Sequence, residues 1–74
     1  MDGRKRKVLL EACSLIKQAK EKVEKVKESE EFLYDAMMNE LRAEQSSETL
    51  ENNINVLDWT IDKFNEILDE LEQL

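Results

Sequence analysis

LENNINVLDWTIDKFNEILDEL, residues 50–71, decides the fold of this chain. Leu50, Ile54, Leu57, Ile61, Phe64, Leu68 and Leu71 recur at alternating spacings of four and three. That is the heptad period, which lays one apolar stripe along a helix. A strand would alternate with period two, and this stretch does not. Upstream, Leu9, Ala12, Ile16, Ala19, Val23, Val26, Glu30, Leu33 and Met37 repeat the pattern, with one charged member. Neither Gly nor Pro interrupts residues 4–44. Two heptad helices follow, the first over about 4–40 and the second over about 47–73. Between them Gln45-Ser46-Ser47-Glu48 is the internal cluster of cap-type residues, in which Ser46 or Ser47 can accept a hydrogen bond from an orphan N–H. The connector is therefore expected at about 38–47.

Charge chooses the topology. Residues 1–27 carry nine Lys/Arg against four acids, a net of +5, and residues 28–74 carry two against fourteen, a net of −12. Folding back antiparallel lays the basic start of the first helix beside Asp58, Asp62, Glu66, Asp69, Glu70 and Glu72. A single long helix pairing in parallel would stack like charge on like. Each exposed pair is worth only ~0–1 kcal/mol, but together they favour one orientation. The expected fold class is all-α, an antiparallel, coiled-coil-like two-helix hairpin spanning residues 1–74 as one domain.

A hairpin alone is thin, because each helix buries a single side. Val8, Leu10, Leu15, Phe32, Tyr34, Met38, Val56 and Trp59 fall off the stripes and are the candidate interface residues. Trp in particular is costly to leave in water and is favoured at interface centres. With a turn near 45–47, Leu74 would reach back only to about residue 18, so Val8, Leu9, Leu10, Leu15 and Ile16 would overhang. Both features predict association into a four-helix bundle, most simply a homodimer, or a larger helical oligomer.

Composition removes much chemistry. The 74 residues include no His, no Pro, one Gly and one Cys, with 39% charged residues and a formal charge of −7. Without His there is no Ser-His-Asp or Cys-His nucleophile and no His-ligated metal site. A lone Cys13 closes no internal disulfide, and as a neighbour of the stripe it reads as a structural thiol. No apolar run approaches the ~20 residues of a membrane span, and Arg4-Lys5-Arg6-Lys7 precedes no signal-peptide core. The expectation is a soluble, cytoplasmic, non-enzymatic chain with no catalytic residues, metal or cofactor.

Three features invite a sharper reading. Glu30 puts a carboxylate on an apolar stripe, where burial could raise its pKa for acid–base work; reaching water, or pairing with a donor that fixes register, explains it better. Asp58, Asp62 and Glu66 could collect a hard cation, yet an acidic face matched to lysines is the stronger reading. Arg4, Lys5, Arg6 and Lys7 are candidate phosphate contacts. Nucleic-acid binding fits poorly, since Glu21 and Glu24 interrupt the basic run and no aromatics interleave to stack bases. Phe32, Tyr34, Met37 and Met38 could line a cleft, but read better as a plug at the end of a bundle.

Val23-Glu24-Lys25-Val26, Glu30-Glu31, Tyr34-Asp35-Ala36-Met37, Leu41, Leu50-Glu51-Asn52-Asn53-Ile54 and Leu57 carry a resemblance. Over about two-thirds of its length the chain resembles small uncharacterised proteins of bacteriophages and prophages of Gram-positive bacteria. Relatives have a proline one position after the methionine, where this chain has Met38. The resemblance implies a first helix ending near residue 37, whereas the residues themselves allow it to run toward Ala43. It supplies a bacterial cytoplasmic setting and no site. The function expected is a non-enzymatic phage-type accessory protein that self-associates and binds another macromolecule, a host or phage protein, with inhibition of a host or defence protein as one form of that role. The alternatives are a purely structural oligomerisation module, or a binder of a small phosphorylated ligand at subunit boundaries.

Overall fold

A computed structural model describes residues 1–39 and 44–74. Helix α1 runs Gly3–Asn39 and helix α2 runs Glu44–Glu72, packed against each other as an all-α hairpin. The Cα extents are 58 × 15 × 12 Å, so the molecule is two helices side by side. Asp2 starts α1: its Oδ1 accepts a hydrogen bond from the Lys5 amide at 2.9 Å, satisfying one of the orphan donors of the first turn. That cap lies in the sequence as an Asp three residues before Lys5, and the charge reading of the basic start passed over it. At the other end, the Gln73 and Leu74 amides donate to the Glu70 and Leu71 carbonyls at 3.2 Å, tightening the last turn of α2.

The helices run antiparallel. Lys27 Nζ donates to Asp58 Oδ1 at 2.8 Å across the seam, and Arg6 Nη2 donates to the Leu74 carbonyl at 2.9 Å. The second contact corrects the expected overhang. Helix α2 begins at Glu44, not near residue 47, and Leu74, two residues past its end, meets the first turn of α1. Val8 through Ile16 therefore have α2 beside them. Ser46 and Ser47 lie inside α2, and Met38 and Asn39 inside α1, so the connector is shorter than the expected 38–47; residues 40–43 lie outside the described residues. Helix α1 passes Met37, where the resemblance ended it, and its possible extension toward Ala43 falls outside the described residues.

The stripe of α2 packs as its spacing demands. Leu68 is buried at 6% exposure, and Leu50, Ile54, Leu57, Ile61, Phe64 and Leu71 are half-covered. The stripe of α1 needs correction. Leu9, Ile16, Val23, Glu30 and Met37 do lie against α2, but the residues between them are Cys13, Lys20, Lys27 and Tyr34. Ala19 is exposed, and Val26 and Leu33 keep 51% and 50% of their exposure. Ala12 is half-covered beside the seam. Two heptad registers share every seventh residue, and α1 uses the one with lysines in it. Lysine tolerates this because its alkyl stem can lie along the apolar seam while the ammonium reaches water. Among the described residues only Leu68 is fully buried, so each helix still turns most of its circumference to solvent.

Candidate interaction surface

A helix with two overlapping registers has apolar surface to spare, and the structure shows where it goes. The hairpin has two broad faces on either side of the seam. One is polar, with Glu24, Glu31, Glu51, Asp58 and Glu72 along it. Lys27 sits at its centre, 2.8 Å from Asp58 and 3.7 Å from Glu31, while Lys20 approaches Glu24 at 3.7 Å within α1. The hydrogen bond that Lys27 donates to Asp58, aided by the charges of Asp58 and Glu31, raises the Lys27 pKa against an opposing effect of desolvation. This realises one contact of the expected match between basic and acidic helices. The other Lys/Arg-to-acid pairs in the described residues are local, within α1.

A shallow cleft of about 360 Å³ opens beside that pair, lined by Lys27, Glu31, Tyr34, Asp35, Glu51 and Ile54 among others. Its single ammonium is already engaged by Asp58, leaving a carboxylate-rich wall with no cation to balance an acidic ligand. No group of three or more Cys, Asp or Glu among the described residues is placed to hold a metal ion. Asp58, Asp62 and Glu66 thus form a solvated acidic ridge, with Asp58 given to Lys27. Glu30 sits half-covered on the seam, and its Oε2 is enclosed without a hydrogen-bond partner among the described residues. The register-fixing donor expected for it is absent there.

The candidate interface residues separate into groups. Tyr34 is half-covered and lines the cleft, Met37 is half-covered on the seam, Phe32 keeps 75% of its exposure and Met38 about half. The four do not form one plug. Trp59 is 64% exposed on the back of α2, opposite the Leu57–Ile61 side. Leu10 lies on the edge of the polar face, whereas Val8, Leu15 and Val56 lie on the other broad face. That second face also holds Ile67 and Leu74, apolar residues off the α2 stripe, and Val26 and Leu33, which the sequence places on the seam. Val26 and Leu33 were assigned to the seam because they are apolar at a heptad position. Of the basic quartet, Arg4, Lys5, Arg6 and Lys7 are all exposed around the first turns of α1, and Arg6 is engaged by the Leu74 carbonyl. No helix is long and apolar enough to cross a membrane among the described residues.

Comparison with protein-family models, with curated proteins and with solved structures gives no match to this chain.

Proposed function

We propose that this chain is a non-enzymatic helical hairpin that self-associates and binds another macromolecule, in the role of a phage-type accessory protein in a bacterial cytoplasm. One observation carries the reading: among the described residues only Leu68 is fully buried, while Val8, Leu10, Leu15, Phe32, Val56 and Trp59 are more than half exposed. Val8, Leu15 and Val56 share one broad face, and contiguous exposed apolar surface of that kind marks a site of interaction. The acidic ridge of α2 adds electrostatic character suited to a basic partner surface, such as the nucleic-acid-binding groove of a host or defence protein.

Trp59 divides the reading into testable parts, because it points away from the seam and is not part of the intrachain packing. Affinity capture from a Gram-positive host lysate, run in parallel with wild type and Trp59→Ala, is the direct test. A partner retained by wild type and depleted at least tenfold by Trp59→Ala supports the reading, with unchanged helicity as the folding control. Equal capture by both proteins, or nothing retained by wild type, refutes it for this surface.

A further inference from the structure

We infer that the apolar broad face of the hairpin binds a second copy of this chain, face to face and end for end, to close a four-helix bundle. The inference rests on the self-association proposed above and adds which face is used and how the copies are oriented. Four large aliphatic residues of α1, Val8, Leu15, Val26 and Leu33, spaced seven, eleven and seven apart, share one flank, all half-exposed or more. Val56, Ile67 and Leu74 do the same on α2. In an antiparallel pair these two flanks fall on the same side of the seam, so they merge into one surface. Thr60 lies within it, and its hydroxyl donates to the Val56 carbonyl at 2.8 Å, so its polar group is satisfied inside the helix.

The occupant follows from symmetry, size and charge. Val8 and Leu33 lie equally far from the point between Lys20 and Glu21, and so do Leu15 and Val26. On α2, Val56 and Ile67 are equally far from the point between Ile61 and Asp62. Those two centres are level to within a helical turn, because Lys27 meets Asp58 on the connector side of them and Arg6 meets Leu74 on the other. A two-fold axis through the shared centre therefore sets large aliphatic residues opposite one another on both helices, and leaves exposed Lys22 and Lys63, one heptad after Leu15 and Val56, beside the axis, where their alkyl stems can lie along the apolar surface. A face 58 Å long and 15 Å across also matches the ~800 Å² per partner that a standard stable interface buries.

Charge selects between the two symmetric arrangements. Residues 28–39 and 44–51, at the connector end, hold seven acids and no base. Residues 1–20 and 62–74, at the open end, balance: six bases with two acids on one helix, one base with five acids on the other. Pairing like ends would bring two such acidic ends within about one helix diameter. Pairing opposite ends sets each acidic end against a neutral one and moves the acidic ends several Debye lengths apart.

Sedimentation equilibrium of wild type, Leu15→Glu, Val26→Glu and Trp59→Glu tests the face. Wild type should have twice the chain mass at micromolar concentration. The two on-face glutamates should raise the dissociation constant at least ~30-fold, as interface charges do, and Trp59→Glu less than ~3-fold. A wild type that stays monomeric overturns the self-association reading itself. A dimer that Trp59→Glu breaks and the on-face glutamates spare leaves self-association standing and overturns this face. Pulsed electron–electron resonance tests orientation without touching the face, using a spin label on Asp35→Cys in a Cys13→Ser background. At 1.5 Å per residue, the end-for-end dimer separates the two labels by ~40 Å or more, and a distance below ~30 Å overturns the orientation.

Discussion

Replacing Leu68 by Ala should cost this hairpin more than any other single truncation on α2. The change removes three carbons from a side chain only 6% exposed. At ~0.8 kcal/mol per buried methylene, the transfer contribution is about 2.4 kcal/mol. A residual cavity adds to that in large proteins, but here a solvent-lined seam lies on either side and can close in, so the total should stay near the low end of the ~2–5 kcal/mol range for Leu→Ala. A chain of this size has only several kcal/mol of stability in all. Urea unfolding followed by circular dichroism at one fixed chain concentration should show the midpoint falling by ~1–2 M, for a slope of ~1–2 kcal/mol per M. Holding concentration fixed matters, since an associating chain gains apparent stability with concentration. Trp59→Ala is the comparison: larger by volume, yet 64% exposed, it should shift the midpoint by less than a third as much. Equal shifts for the two variants, or a larger one for Trp59→Ala, would refute the assignment of the seam on α2.

Asp58→Asn should lower the melting temperature only slightly, because the Lys27 and Asp58 side chains remain 26% and 56% exposed and water screens their pair; a thermal melt at low salt reads it. The same pair predicts a pH response. The Lys27 pKa is raised above its ordinary 10.5, so its stabilising contribution is complete below that value and is lost as pH climbs through the higher folded value; melts from pH 7 to 9 should show no change from this group, and Asp58→Asn should flatten the loss above 10.5. Asp2→Ala removes the cap of α1 and should lower stability by ~1 kcal/mol, with faster amide exchange confined to the first turn. Gly3→Ala should raise the melting temperature slightly, by the equivalent of ~0.5 kcal/mol, because an added Cβ there meets nothing within 4 Å and the unfolded chain loses freedom.

How much of this was readable from residues alone differs between the two helices. On α2 apolar residues and heptad positions coincide, from Leu50 to Leu71, so the stripe and the seam are one thing. On α1 they diverge. Leu9, Ile16, Val23, Glu30 and Met37 belong to both possible registers, and apolarity favours Ala12, Ala19, Val26 and Leu33 between them. The structure instead sets Cys13, Lys20, Lys27 and Tyr34 there. Hydrophobicity reports that a side chain leaves water, without saying whether the cover is its own second helix or something else. Lysine stems blur the signal further, since they cover apolar surface while scoring as polar. The start of α2 diverges for a related reason: Ser46 and Ser47 look like a cap and place it near residue 47, whereas α2 begins at Glu44 and carries both serines inside it.

The position of Leu68 bears on how quickly the two states interconvert. The Lys27–Asp58 contact spans 31 positions of sequence, whereas the Arg6–Leu74 contact spans 68. Loop-closure entropy grows with that span, so pairing next to the connector is the least costly first step and the hairpin zips outward from it. Leu68 lies in the half of α2 that zips last. Its loss should therefore leave the refolding rate nearly untouched and appear almost wholly as faster unfolding, with a φ-value near zero, whereas truncating Ile54 should slow refolding.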